Sequence, residues 1–341
     1  INKMSKIAFS WDLLEKSLII DVRSEIEFEK GHIPGAVNIP ILNTEERKIV
    51  GTSFKQNGQK YAILKGLELS GPHLSKRLKL AVKLAENSEN IVVHCWRGGM
   101  RSAFFTYLME FFGLKISVLI GGYKSYRKHV QETFDRPYSI AILGGMTGSG
   151  KTHILDELEK TTAFCIDLEK LAHHRGSSFG ALGMEAQPSQ EQFENNLAKQ
   201  LIKTGNNTIW LEDESRTIGA KIIPEGIWNQ MREAPHYFLD SSFEERLDQI
   251  MVDYGDFSIE ELKICTLRIA KRLGPQHAKK AIEFLDNNEV RNAFSIALSY
   301  YDKAYSYHKE INPLGEKITI ECPSKNYTEI ANFLVNIKNG K

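Results

Sequence analysis

A chain of 341 residues has room for about two domains of roughly 150 residues each, with buried cores that need no disulfide or metal staple. Its 42% hydrophobic and 26% charged residues exclude the disordered, collagen-like and disulfide-scaffold classes, and no apolar run approaches the roughly 20 residues of a membrane span. The net charge of +1 hides a split: residues 1–136 hold 21 basic and 14 acidic residues, the remainder 23 and 29, so the front half suits an anionic partner.

In chain order, SLIIDV (17–22) reads as a buried strand, SEIEFEK (24–30) as a short helix and AVNIP (36–40) as a second strand. Residues 43–72, rich in Gly, Lys and Asn, read as irregular structure before a helix near 73–86. NIVVHC (90–95) is a third strand, SAFFTYLMEFFG (102–113) an apolar helix stopped by Gly113, and KISVLIGG (115–122) a return to strand. Around Arg136-Pro137 the pattern restarts. YSIAILGG (138–145), AFCIDL (163–168), NTIWLEDE (207–214) and PHYFLD (235–240) read as strands, KTHILDELEK (151–160) as a helix, and Pro224 opens another running to about Glu233. Residues 243–310 read as successive helices broken near Gly255 and at Gly274-Pro275. KITIEC (317–322) and a closing helix over 326–337 finish the chain. Strands alternating with helices predict two largely parallel α/β sheets, one in residues 1–136 and one in residues 137–341, the latter with a helical subregion over about 243–310. The cysteines Cys95, Cys165, Cys265 and Cys322 form no CxxC pair, so the expectation is reduced thiols in a cytoplasmic protein without zinc or a membrane partner.

Chemistry first concentrates at HCWRGGMRS (94–102), between a strand and a helix. A thiol there sits among unpaired backbone N–H groups at the positive end of a helix dipole. Gly98-Gly99 lets the backbone curl around an anion, while Arg97 and Arg101 add two cations. Each feature favours the thiolate, so Cys95 is the predicted nucleophile; His94 either tunes it or packs. Together with IIDVRSEIEFEKGHIPGAVNIP (19–40) and VLIGGYKSYRK (118–128), this loop resembles the rhodanese family over roughly residues 10–130. The resemblance implies that Asp21, Arg23, Glu27, His32, Pro34 and Gly35 are mainly scaffold. The loop is one residue wider than in common rhodanese sulfurtransferases, with five residues between Cys95 and Arg101, a spacing shared with rhodanese-like phosphatases. A wider cradle fits a tetrahedral oxyanion.

The second concentration is GGMTGSGKT (144–152), which holds G-x-x-x-x-G-K-T between a predicted strand and a predicted helix. Backbone N–H groups around Gly145, Gly148 and Gly150 would wrap a phosphate, Lys151 would reach its outer oxygens, and Thr152 could ligate Mg²⁺. Asp167 and the run Glu212-Asp213-Glu214 are candidates to hold that ion or orient a nucleophile. The loop itself does not choose among ATP, a prenyl diphosphate and a nucleic-acid phosphate. In LAHHRGSSFG (171–180), the donors His173, His174, Arg175, Ser177 and Ser178 suit phosphate or a base edge better than a shared metal, and Arg216 in DESRTIG (213–219) reads the same way. Candidate contacts to a nucleic-acid backbone are Lys124, Arg127 and Lys128, and Lys271, Arg272, Lys279 and Lys280.

A rhodanese-like parallel-sheet half followed by a P-loop NTPase-like α/β half with a helical C-terminal extension resembles the tRNA 2-selenouridine synthase family over nearly the whole chain. The motifs carrying this are HCWRGGMRS, GGMTGSGKT, DLEKLAHHRGSSFG (167–180), EDESRTIG (212–219) and YYDKAY (300–305), with Lys170 standing where glycine is expected. The resemblance implies an enzyme acting on wobble 2-thiouridine of tRNA. Geranyl diphosphate would alkylate the sulfur, and selenophosphate would then replace the geranylthio group with selenium. On that reading the diphosphate lies at Lys151 and Thr152, and Cys95 takes selenium, as a selenylsulfide, with Arg97 and Arg101 holding the phosphate. No tightly bound cofactor is expected, Mg²⁺ at Thr152 is a candidate, and a monomer is the default. Competing readings are an ATP-dependent tRNA sulfurtransferase using a Cys95 persulfide, and a rhodanese-like phosphatase.

Overall fold

A computed structural model describes residues 4–308, 315–321 and 326–338; Cys322 lies outside the described residues. The chain forms two compact units, one of residues 1–133 with 191–202, the other of residues 134–190 with 203–341.

In the first unit the elements run β1 (Ser5–Ile7), α1 (Leu13–Lys16), β2 (Leu18–Asp21), α2 (Glu25–Lys30), β3 (Val37–Asn38), α3 (Thr44–Ala85), β4 (Ile91–His94), α4 (Met100–Glu110), β5 (Ile116–Leu119) and α5 (Gly122–Phe134). The strands form one parallel sheet in the order β1-β5-β4-β2-β3. All of β4 is buried, as expected of a parallel strand covered on both faces, and Ile20, Val93, Phe105 and Met109 sit at the centre of the core. The chain moves from β2 to one neighbour, β3, and returns to the other, β4. The crevice beyond the carboxyl ends of β2 and β4 is therefore a topological switch point, where open parallel sheets bind ligands. Cys95 follows β4 there.

The segment 43–72, expected to be irregular, is instead helical, part of α3. Its start is specified by a reciprocal cap: Asn43 Oδ1 accepts from Glu46 N, and Glu46 Oε2 accepts from Asn43 N, both at 2.8 Å. The glycines that suggested a loop are absorbed except at Gly58, whose φ of 79° breaks the helix into two stretches.

The second unit runs β6 (Ile140–Gly145), α6 (Lys151–Glu159), β7 (Phe164–Ile166), α7 (Leu168–Ala172), then α8 (Gln190–Lys203), β8 (Ile209–Glu212), a hairpin of β9 (Thr217–Ile218) and β10 (Lys221–Ile222), α9 (Glu225–Glu233), β11 (His236–Asp240), α10 (Phe243–Tyr254), α11 (Ile259–Leu273), α12 (Pro275–Asp286), α13 (Val290–His308), β12 (Lys317–Glu321) and α14 (Tyr327–Lys338). Its sheet is parallel, ordered β12-β11-β6-β8-β7. The order changes direction at β6, whose carboxyl end feeds the phosphate loop. Helices α10–α13 build a separate apolar core around Leu262, Phe294 and Leu298.

Residues 191–202 of α8 depart from the expected division at residue 137, because their contacts are with the first unit. Asn195 Nδ2 donates to the His32 carbonyl and to Tyr123 Oη (both 2.8 Å), Gln192 Oε1 accepts from His32 N (2.8 Å), and Tyr123 Oη donates to Glu191. A buried polar surface can be satisfied by a helix distant in sequence as well as by a neighbour. No pattern in the sequence marks the crossing.

Candidate functional site

The Cys95 cradle comes first. Cys95 is 4% exposed, and the backbone N–H of Gly99 donates to its Sγ at 3.2 Å. Ser102 Oγ lies 3.4 Å from the sulfur. Burial alone would raise the thiol pKa; the Ser102 hydroxyl and backbone N–H, then the Arg101 charge, outweigh it and hold the thiol below its ordinary value. The surroundings of the sulfur thus favour the thiolate. Loop shape depends on a glycine facing it: a Cβ on Gly122, at φ +59°, would stand 2.3 Å from the Cys95 carbonyl oxygen and 2.4 Å from Gly98 N. Tyr123 N and Lys124 N then donate to the carbonyls of Cys95 and Trp96, both at 2.9 Å, so the start of α5 fastens the loop from behind.

The two arginines differ. Arg97 is exposed. Arg101 makes two bonds to Glu27, at 2.7 and 3.1 Å, which orients it beside the sulfur. Against the cost of burial, Arg101 holds the Glu27 carboxyl down to about 2. Glu27 Oε2 also accepts from Ser24 N, capping α2, so a residue expected to be scaffold is also the partner of a site arginine. His94 does not touch the thiol. It is fully buried, its Nε2 is 3.8 Å from Asp21, and burial lowers its pKa, which keeps the ring neutral. Arg23 beneath it is locked to Asp21 and over the Tyr123 ring.

In the second unit the phosphate loop lines a cavity of about 850 Å³. Gly145, Gly148, Gly150, Lys151 and Thr152 all face it, together with Arg175, Ser177, Glu212, Asp213, Glu214 and Arg216. Lys151 Nζ donates to the Gly145 carbonyl at 3.1 Å, across the turn that a phosphate would fill. At Gly148, φ is +80° and a Cβ would lie 2.6 Å from the Arg246 carbonyl, so no other residue fits. Arg246 in turn pairs with Asp302 at 2.7 Å and donates to the Thr147 carbonyl at 3.2 Å, bracing the loop from α10 and α13. Sequence reasoning missed this brace, since its partners lie 56 and 99 residues away.

An acidic group faces the loop. Carboxylate oxygens of Glu169, Glu212 and Glu214 all lie within 4.8 Å of one another. Glu212 is fully buried, and among the described residues neither oxygen has a well-aligned hydrogen-bond partner, the Thr152 hydroxyl offering only a weak one. Burial, then the charges of Glu169 and Asp167, push Glu212 well above the ordinary carboxylate range. Burial and Glu214 carry Glu169 to about 9, and burial and Glu212 carry Glu214 to about 8. Such a set, with Thr152 beside it in the cavity, fits a hard divalent cation of the Mg²⁺ kind, whose charge would return all three acids to the ionised form. Glu169 was passed over in the sequence, although it sits two residues beyond Asp167 in a quoted motif. Asp167 itself caps α7, its Oδ1 accepting from Lys170 N at 2.7 Å.

Not all of 171–180 joins the cavity. His173 adopts φ 51° as the C-terminal cap of α7 and its Nδ1 bonds the Ala186 carbonyl at 3.0 Å, a structural turn. His174 and Ser178 do not line the cavity; Ser178 N donates to Tyr301 Oη. The same cavity has an apolar and aromatic wall, made by Phe179, Ile250, Tyr254, Phe294, Leu298 and Tyr301, with Ile250 close to Gly148 of the loop. Among the candidate nucleic-acid contacts, Arg127 is engaged by Glu194 and Asn195 and serves to hold α8. Lys128 pairs with Glu132 at 3.5 Å, while Lys124, Lys271 and Arg272 are exposed.

A cysteine in a rhodanese-type cradle and a P-loop at the switch point of a second parallel sheet define a two-unit α/β protein with two candidate anion sites. Residues 10–129 match the rhodanese-like domain and residues 138–338 the tRNA 2-selenouridine synthase AAA domain. The chain is 33% identical over 338 residues to the tRNA 2-selenouridine synthase of Pseudomonas entomophila, covering 89% of this chain and 90% of that one. It is 34% identical to that of Bordetella petrii (86% and 87%) and 38% identical to that of Nitrosomonas eutropha (69% and 62%). The chain belongs to the tRNA 2-selenouridine synthase family. Among the described residues, no helix is long and apolar enough to cross a membrane.

Proposed function

We propose that this protein converts 2-thiouridine of tRNA to 2-selenouridine through an S-geranyl intermediate, with geranyl diphosphate bound in the cavity of the second unit and selenophosphate at Cys95. The observation that carries the first half is the mixed lining of that cavity, which joins a phosphate loop with Lys151 to an aromatic, aliphatic wall. A ten-carbon chain against that wall gains on the order of 0.8 kcal/mol for each methylene buried, and the diphosphate alone would have no use for it. Sulfur attacks C1 of the geranyl group, the C1–O bond breaks, and pyrophosphate departs as the uridine loses its N3 proton. The rings of Tyr254 and Phe294 suit the positive charge developing on the allyl group. Lys151 stabilises the departing oxygens. Glu169, Glu212, Glu214 and Thr152 would hold Mg²⁺, which when bound supplies charge for the pyrophosphate.

At Cys95, electron balance sharpens the chemistry. Selenium in selenophosphate is already at the selenide level, so a selenylsulfide on Cys95 would leave phosphite behind. Attack of the thiolate on phosphorus instead breaks the P–Se bond and frees selenide to displace geranylthiolate from C2. Water then takes the phosphoryl group from sulfur as phosphate. The width of the loop, the N–H of Gly99 and the Glu27-held Arg101 support a tetrahedral phosphate over the sulfur. Mass spectrometry of tRNA nucleosides after incubation with geranyl diphosphate, with and without selenophosphate, tests the sequence. S-geranyl-2-thiouridine should accumulate without selenophosphate and give 2-selenouridine with it. Conversion that ignores geranyl diphosphate and requires ATP would sink the reading.

A further inference from the structure

The first unit contains 21 basic and 15 acidic residues, and α3 alone contains nine of the former and three of the latter. Outside α3 the unit is balanced at twelve of each, so its whole positive excess lies on one helix. Lys48, Lys55 and Lys60 are exposed, and none of the three has an ion-pair partner among the described residues. Between them the helix exposes large side chains that a water-facing surface has no reason to carry: Ile49, Phe54 (53% exposed), Tyr61 (65%) and Leu64. Two contacts fix where this face lies. Near its start, Arg47 Nε stands 3.7 Å from Glu27, the residue that holds Arg101. Beyond the Gly58 break, Gln59 Nε2 donates to Met100 Sδ at 3.4 Å, one residue from the Gly99 N–H on the Cys95 sulfur. The stretch 47–60 therefore borders the mouth of the Cys95 cradle.

We infer that the exposed face of α3 from Lys48 to Tyr61 is an RNA-docking surface, in which Lys48, Lys55 and Lys60 contact phosphates while Phe54 and Tyr61 stack on unpaired bases. This rests on the reading that the substrate is tRNA; the surface itself is read from charge and place. Apolar exposure alone would equally suit a second copy of this chain, but packing α3 on α3 would press two strongly positive helices together. A polyanion neutralises the same charge and releases its counterions. Unpaired bases of a loop offer flat faces to exposed rings, and a loop is where a single uridine can be splayed towards Cys95. Of the α5 cations proposed from sequence, Lys128 pairs with Glu132 and Arg127 is committed to α8, which leaves Lys124.

The test uses the full chain and a tRNA carrying 2-thiouridine, with affinity measured by fluorescence anisotropy from 50 to 300 mM KCl. The triple variant Lys48→Gln, Lys55→Gln, Lys60→Gln should raise Kd about tenfold or more and reduce the slope of log K against log salt by about 2, since each lost phosphate contact removes roughly 0.7. Lys→Arg at the same positions should restore both, which separates charge from folding. Phe54→Ala with Tyr61→Ala should weaken binding at all salt concentrations and leave the slope unchanged. A glutamine variant with the wild-type Kd and slope overturns the inference. So does an aromatic double variant that splits a dimer of this chain while tRNA affinity stays the same. Absence of tRNA binding by the wild-type protein would instead defeat the reading of the substrate.

Discussion

The two anion loops of this protein are built alike and charged oppositely. Each follows a buried parallel strand, each opens a helix, and each sits where strand order reverses. Around Cys95 the charges are already matched: Arg101 is bound by Glu27, and the thiolate is met by the Gly99 N–H and the Ser102 hydroxyl. Around Lys151 the balance fails, because three carboxyl groups share one small space and one of them, Glu212, is wholly buried with no well-aligned hydrogen-bond partner among the described residues. A site that is complete on its own holds its nucleophile ready. A site with crowded acids invites a cation, because burial and mutual repulsion push its carboxyl groups towards the protonated form.

The sharpest way to break this contrast is to disable each loop separately. Cys95→Ala should cut selenium incorporation by at least about 10³-fold, as loss of a nucleophile does, and leave geranylation intact. Lys151→Ala should lower geranylation by about 10²–10³-fold, and 2-selenouridine should still form from tRNA supplied already geranylated. Both are read by nucleoside mass spectrometry. Loss of both activities in either variant would mean that the loops do not divide the chemistry.

A middle-sized effect concerns pH. Glu169 and Glu214 titrate at about 9 and about 8 when folded, above the ordinary carboxylate value, so the stability they contribute is full below about pH 4.5 and is lost as pH rises towards 9. Thermal unfolding without metal should therefore fall by several degrees between pH 5 and pH 9. Millimolar Mg²⁺ should reverse the fall and release protons at pH 7, and Glu212→Gln should blunt both responses. A metal-free melting temperature that is flat over this range would contradict the crowded-acid description.

The smallest effect is expected at Glu27, whose folded pKa of about 2 lies below the ordinary value. Its contribution is present above about pH 4.5 and disappears as pH falls towards 2. Glu27→Gln, which breaks a partly buried pair, should cost about 1–2 kcal/mol and raise KM for selenophosphate more than it lowers kcat. A large fall in kcat alone would make Glu27 more than the positioning residue for Arg101.

Most strands were legible because a parallel strand covered on both faces must be a short apolar run, as IVVH and IAILGG are. The two loops were legible because glycine, arginine and lysine at fixed spacing between strand and helix have a mechanical purpose. Four features escaped. Helix α3 was hidden by its glycines, which read as breakers, though capping at Asn43 and burial of Ala62, Leu78 and Ala81 outweigh their cost. Glu169 gave no signal because a lone acid in a short helix is usually solvated. The brace Arg246–Asp302 and the return of α8 to the first unit join residues far apart in the chain, where no local pattern exists.

The sequence by itself determined the two sheets, the order of the units, the cysteine loop and the phosphate loop, since each depends on residues within a few positions of one another. Only the tertiary structure decided that Arg101 is oriented by Glu27, that three acids crowd one cation-sized space, that α10 and α13 add aromatic side chains to the cavity of Lys151, and that the positive excess of the first unit lies along α3, part of which borders the Cys95 cradle. Those are properties of distance and dielectric, and a linear order of residues carries neither until the chain has packed.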